Sequence, residues 1–305
     1  MYHIHDLQIE AARDFQIIKS DFVFKVLFKL EHFILHHTNH LSTISTGMVQ
    51  KLKAKIAREI ILFPNWVDTD LFSPLQDRDL LKQQWAFNPG DKIVCYSGSI
   101  GEKQGLESLI QIAKKTEKEA HIKYVICGNG PYRQRLMEMA AELALVNMHF
   151  MDLQPLGTFN VFLNMVDVHL VLQKKSACDL MMPSKLTTIW SAGGLALVTA
   201  QPGTTLHTTI SNHNMAVVID CEDDELLKQA IIRSCNEDFS KEKRNARFYA
   251  LAHLSRANIL KKFMTDLSPV SAVTKQPEYV KLAVAAEVTQ QVEHVKHQKQ
   301  ASLAS

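Results

Sequence analysis

The chain has 305 residues with a formal net charge of +2 at pH 7, 46% hydrophobic and 22% charged residues, 11 Gly and 9 Pro. That is enough chain for one or two domains with a full core, and too small a net charge to point to a nucleic-acid partner. No run reaches the roughly 18 uninterrupted apolar residues of a membrane span and no charged-then-apolar leader opens the sequence, so a cytoplasmic location is expected.

In chain order, YHIH at 2–5 reads as the end of one strand, 15–36 as an amphipathic helix, 41–45 as a short strand, 46–57 as a helix and EIILF at 59–63 as a third strand. Three strands and two helices are too few for a doubly wound unit, so residues 1–63 read as the C-terminal remnant of an incomplete N-terminal Rossmann-like domain, or as a small extension. Residues 64–74, PNWVDTDLFSP, carry prolines near both ends and read as a linker. From about residue 92 the pattern alternates. Continuous apolar runs at 92–97, 122–127, 147–150, 166–172, 195–199 and 216–219 have the character of strands buried on both faces. Segments 105–118, 131–145, 155–164, 183–192 and 223–235 have helical spacing. This βαβα order predicts an α/β fold, a doubly wound parallel sheet over 75–237 that binds ligands at the carboxyl ends of its strands. Residues 238–268 read as a long amphipathic helical segment and 269–305 as a polar tail expected to be disordered. Five scattered cysteines with no CxxC pair indicate neither disulfides nor structural zinc.

Three turns carry candidate chemistry. VCYSGSIGEKQG at 94–105 runs from a strand through a turn containing Gly98, Ser99, Gly101 and Gly105 into a helix start, with Lys103 adding a charge; unsatisfied amides there stabilise an anion. Gly128, Asn129 and Gly130 in GNGP follow the next strand, where glycines allow a close approach of the backbone and Pro131 suits a helix opening. Pro183 and Ser184 open a further helix, beside which Lys185 can pair with a phosphate as a point charge. The spacing of GSIGEKQG and GNGPYR does not make the GxGxxG of a nicotinamide-dependent oxidoreductase.

The succession ISTGMVQKL (44–52), LFPNWVDTDLFSP (62–74), YSGSIGEKQGLESLI (96–110), VICGNGPYRQRL (125–136), VDVHLV (166–171) and PSKLTTIWSAGG (183–194) resembles retaining GT-B glycosyltransferases of family 4 (group 1) type, nearest to the branch of colanic-acid and capsule sugar transferases. The resemblance covers about residues 1–265 and implies two facing Rossmann-like domains, with a nucleotide-diphosphate sugar of UDP or GDP type as donor substrate, no metal or other cofactor, and a glycan or lipid-linked acceptor. It also implies an N-terminally truncated chain. In that family an Arg after the first glycine and a Lys before the last assist the diphosphate. Here those positions are Ser99 and Gln104, which makes Lys103 the nearest replacement. A Glu that holds the ribose hydroxyls is usual at position 188, where this chain has Thr188. A His at the end of the first strand faces the donor sugar in the family, so His5 joins Lys103 and Lys185 as a candidate catalytic group. The cluster His32, His36, His37 and His40 has no carboxylate or cysteine to complete a metal site and reads as a solvated helix end.

Two questions stay open on sequence alone. The broad apolar face of 15–36, with Lys19, Lys25 and Lys29 beside it, suits packing against other parts of the N-terminal domain or peripheral contact with the inner face of an anionic plasma membrane. The chain as a whole reads either as a glycosyltransferase or as a non-catalytic nucleotide-sugar-binding module or partner of a separately encoded half.

Overall fold

Three short parallel strands, β1 (Tyr2–Ile4), β2 (Leu41–Thr43) and β3 (Ile60–Leu62), form the smaller of two sheets in a computed structural model that describes residues 1–14, 20–173 and 183–267, with the side chains of Ala11, Asp14 and Lys103 outside it. Met1–Asp266 make one compact unit and Leu267–Ser305 a second, of which only Leu267 is described. Helices α1 (Gln8–Asp14), α2 (Asp21–His37) and α3 (Thr46–Lys53) connect the strands. Ile4, Leu35, Leu41, Met48, Leu52 and Ile60 close a core of their own beside this sheet. The Ser45 hydroxyl accepts from the Met48 amide at 3.2 Å and so starts α3. The expected helix over 15–36 is α2 from Asp21 onward, with 15–19 outside the described residues.

After β3 come α4 (Arg78–Gln83), β4 (Lys92–Ser97), α5 (Glu107–Lys115), β5 (Ile122–Cys127), α6 (Arg133–Glu142), β6 (Met148–Met151), α7 (Leu156–Met165), β7 (Val168–Val171), α8 (Lys185–Ser191), β8 (Leu195–Thr199), α9 (Thr205–His213), β9 (Val217–Ile219), α10 (Asp224–Asn236), α11 (Ser240–Tyr249) and α12 (Arg256–Leu267). The six strands β4 to β9 pair in parallel in the order β6-β5-β4-β7-β8-β9. Ile93, Val94, Val125, Ile126, Val168 and Leu197 are fully buried, as strands covered on both faces require. Each contributes about 1.5 to 3 kcal/mol of apolar burial. Helices α5 and α10 cover one face, and α8 and α11 the other.

Three helices were not expected. Segment 205–213, TLHTTISNH, is rich in β-branched residues of modest helix propensity, and α9 forms because the Thr204 hydroxyl caps the His207 amide at 3.3 Å and Leu206 and Ile210 are buried. The others are α1 and α4, helices of 7 and 6 residues, shorter than periodicity can register. The long helix expected over 238–266 is broken. A π-helical turn at Ala250–Leu254 ends α11, and Ser255 pairs with Val67 in an isolated bridge before α12 begins. Residues 64–74 are tied down by that bridge and by Arg247, whose Nη1 donates to the carbonyls of Thr69, Phe72 and Ser191 at 3.2, 3.0 and 2.6 Å.

At the amino ends of the central strands a charge is buried. Lys82 is 2% exposed, donates to the Asp91 carbonyl at 2.6 Å and pairs with Asp167 at 3.0 Å; Asp167 also accepts from the Ile93 amide at 2.8 Å. Removing the carboxylate leaves the desolvated ammonium with only the exposed and more distant Asp79, at 3.6 Å, as a counter-charge. Asp167→Ala is therefore expected to cost about 3 kcal/mol and to lower the thermal midpoint by about 6 to 12 °C in a calorimetric scan; a shift under about 2 °C would mean that the pair is not holding β4 against β7.

Candidate functional site

Strand order reverses between β4 and β7, and the loops leaving their carboxyl ends part there, which is where an open α/β sheet offers a crevice to a ligand. The turn after β4 is Gly98–Gly105, the turn after β5 is Gly128–Pro131, and α8 follows β7. These are the three segments singled out by sequence, and they meet on one rim of the sheet.

The two glycine turns clasp each other backbone to backbone. The Gly98 amide donates to the Cys127 carbonyl and the Ile100 amide to the Asn129 carbonyl, both at 2.9 Å, and the Tyr132 amide donates back to the Ile100 carbonyl at 3.2 Å. A Cβ on Gly128 would stand 1.9 Å from the Gly98 oxygen, and one on Gly130 would stand 2.0 Å from the Ile100 oxygen. The first turn is therefore what approaches these glycines so closely on this side. The first turn is also braced from within. The Gly101 amide donates to Gln104 Oε1 at 3.0 Å, so the glutamine standing where the family has a lysine closes a 3-10 turn over Glu102–Gln104. Gly105 then takes the left-handed conformation, φ 65°, before α5 starts. Of the amides of Gly98, Ser99, Ile100 and Gly101, that of Ser99 has no partner among the described residues, and Ser99 is exposed.

Lys185, the first residue of α8, converges on this turn. Its Nζ lies 3.0 Å from where a Cβ of Gly98 would be and 4.0 Å from the centre of the Tyr96 ring. The Tyr96 hydroxyl donates to the Ser99 carbonyl at 2.8 Å, so one side chain steadies both the turn and the cation. Burial lowers the Lys185 ammonium to about 8, the nearby Cys95 acting in the opposite sense, and it pushes the Tyr96 phenol up to about 12. Among the described residues no carboxylate pairs with Lys185. A partly desolvated ammonium over an aromatic face, beside one open amide, is a receptor for an anion.

Other expected residues behave differently. Ser184 makes no side-chain cap, and its backbone is already helical at φ −60°, ψ −28°. The Thr188 hydroxyl donates to the Lys185 carbonyl at 3.0 Å and has lone pairs left to accept. His5 is exposed beyond the end of β1, its ring edge-on to His3 at 4.8 Å. His3 shares a hydrogen bond of 2.8 Å with the Ser42 hydroxyl and is lowered by burial and by His5. The Lys103 side chain lies outside the described residues. Tyr96 escaped the sequence reading because an aromatic at the end of an apolar strand reads as core; the signal available was its place two residues before the first glycine.

The glycosyl transferases group 1 family matches residues 77–251. The chain belongs to that family. It is 35% identical over 273 residues to the putative colanic acid biosynthesis glycosyl transferase WcaI of Escherichia coli (strain K12), covering 87% of this chain and 66% of WcaI, and so spans just under two thirds of that relative's length. Among solved structures it is similar to sucrose-phosphate synthase from Thermosynechococcus elongatus (TM-score 0.70, 16% identity, 93% of this chain and 67% of that one). It is also similar to HepE of Anabaena in complex with UDP and glucose (TM-score 0.70, 14% identity, 88% and 71%). At these identities the structural likeness shows the GT-B fold.

The clasp makes a direct prediction. Gly128→Ala is expected to lose about 2 to 3 kcal/mol of stability, read as a lowered urea midpoint, because backbone has to move to admit one methyl group; an unchanged midpoint would contradict the close approach.

Proposed function

We propose that this protein is a glycosyltransferase that moves a sugar from a nucleotide-diphosphate sugar, UDP or GDP linked, to a glycan or lipid-linked acceptor in surface polysaccharide synthesis, with retention of anomeric configuration. Membership of group 1, the likeness to WcaI and the UDP held by HepE support the substrate classes. The observation that carries the reading is Lys185 Nζ beside Gly98 and over Tyr96 at the point where strand order reverses. Breaking a sugar–phosphate bond places negative charge on the departing diphosphate. An ammonium already stripped of much of its water meets that charge with little reorganisation and at reduced dielectric. Lys185 and the Ser99 amide would hold the phosphates, and the Gly128–Gly130 turn would act by fixing the first turn. Thr188 would accept one ribose hydrogen bond where the family's Glu accepts two. His5 would act only if the smaller sheet brought it over the sugar.

Calorimetric titration with UDP and GDP tests the reading. Lys185→Ala is expected to weaken the preferred nucleotide about 10- to 100-fold, the worth of a charge-assisted hydrogen bond to phosphate, with the fold intact by circular dichroism. The pH profile has a definite sign. Below the free-protein value of about 8 the lysine already carries its proton and affinity is full; above it a proton must be taken up on binding, so affinity falls by up to about tenfold per pH unit. Equal affinity in wild type and Lys185→Ala, or a flat profile between pH 7 and pH 9, would remove Lys185 from the site. Binding of the nucleotide sugar without turnover of a supplied acceptor would mark a binding module.

No helix of the described residues is long and apolar enough to cross a membrane. Peripheral contact at the inner face is the reading we favour for α2. Phe22, Val26, Leu30 and Phe33 are exposed along one stripe, with Phe22 75% exposed, and Lys25 and Lys29 are exposed along its edge. Charge complementarity favours an anionic bilayer. Vesicles containing phosphatidylserine should sediment the protein, and Lys25→Glu with Lys29→Glu should reduce binding at least about tenfold. Equal binding to purely zwitterionic vesicles, or none to either, would count against it.

A further inference from the structure

On the face of α8 turned away from Lys185 lies a cavity of about 320 Å³, large enough for a small ligand. Both sheets contribute to it. Ser45 and Asn65 come from the side of the smaller sheet, Thr205 from the start of α9, and Trp190 with Tyr249 forms an aromatic wall, the two rings edge to face at 5.6 Å. Gly47 on α3 is pressed against Thr205, where a Cβ would sit 2.4 Å from its hydroxyl oxygen, so the two sides of the cavity meet at contact distance.

The polar groups of the wall are neutral and in part unused. Asn65 and Thr205 make no side-chain hydrogen bond among the described residues, and the Ser45 hydroxyl accepts from Met48 but keeps its own proton to donate. Trp190 is 2% exposed and its indole N–H, sealed from solvent, has no acceptor among the described residues. His253, at the rim, is lowered by burial and by His213, which favours the uncharged ring; Lys262 is paired with Asp266 at 3.0 Å. Among the described residues no carboxylate lines the cavity. Neutral donors and acceptors around an aromatic face suit a ligand that is itself neutral, presents C–H groups on one side and carries hydroxyls around its edge. A diphosphate does not fit, because the single cation at the rim is already paired.

We propose that this cavity is a glycan subsite that takes a neutral pyranose ring, separated from the donor diphosphate by the thickness of α8. The proposal rests on the glycosyltransferase reading for its biological sense and on the cavity alone for its chemistry. A ring seated there would touch Leu186, Thr187 and Trp190, one face of the helix whose first residue is Lys185.

The test uses the full chain labelled with 5-fluorotryptophan and observed by fluorine NMR, with the Trp190 resonance assigned by its loss in Trp190→Phe. Methyl pyranosides of glucose, galactose and mannose are the probes. At least one is expected to shift the Trp190 resonance saturably. Asn65→Ala and Thr205→Val should each weaken that binding about fivefold, the worth of one neutral hydrogen bond, and both remain available should Trp190→Phe fail to fold. Saturating UDP should leave the pyranoside affinity within about twofold. No saturable shift with any probe, affinity unchanged in both variants, or displacement by UDP would each overturn the proposal. The same samples titrated with UDP keep the two readings apart: normal Lys185-dependent UDP binding with no pyranoside response removes the subsite and leaves the donor site standing.

Discussion

The backbone clasp between the turns after β4 and β5 is the constraint on which this rim of the sheet depends. Parallel strands deliver their carboxyl ends side by side, but nothing in strand pairing fixes the loops beyond. Here three amide-to-carbonyl bonds and two glycines do so, locking the first turn against the second with no side chain between them. A turn held in this way does not need to be ordered by its ligand, so the entropy of fixing it is already met in the fold. The clasp takes the Gly98 and Ile100 amides and Gln104 takes that of Gly101, so within Gly98–Gly101 the Ser99 amide is the one without a partner among the described residues.

Lys185 is held at some cost. Burial draws it toward its neutral form, and among the described residues no carboxylate compensates. The Tyr96 ring offsets part of this through its negative face, a contribution of about 0.5 to 2 kcal/mol, smaller than the loss of hydration that a buried cation suffers. The balance leaves an ammonium that gains more from a phosphate than a solvated one would. Had a carboxylate stood within ion-pair distance, the cation would have been easier to bury and much less available to a ligand.

Much of the larger sheet was legible because its strands are continuous apolar runs flanked by glycine turns, signals that depend only on local sequence. The expected strands at 92–97, 122–127 and 195–199 coincide with β4, β5 and β8. What escaped depends on tertiary contact. Helix α9 is stabilised by a cap and two buried side chains that outweigh β-branched propensity, and the break between α11 and α12 comes from pairing of Ser255 with Val67, almost two hundred residues away in sequence. At the site, Lys185 and the glycine turns were recognisable from residue type and position. Tyr96 was not, since its role comes from where α8 brings Lys185. For Gly128 and Gly130 the need for close approach was legible, and the neighbours that the structure brings there are the Gly98 and Ile100 carbonyls.

Arg247 has a wider consequence. By donating to the Thr69 and Phe72 carbonyls within the 67–72 stretch and to Ser191, it ties that stretch to α8 and α11 as though it were part of the larger sheet. Phe63 is bonded in the other direction, its amide to Thr43 in the smaller sheet. Between these anchorages lie only Pro64, Asn65 and Trp66. Helix α12 reaches back across this short connection, its Phe263 ring 4.2 Å from that of Phe63. Most of the stretch that reads as a linker is thus bonded into the larger sheet's side of the fold.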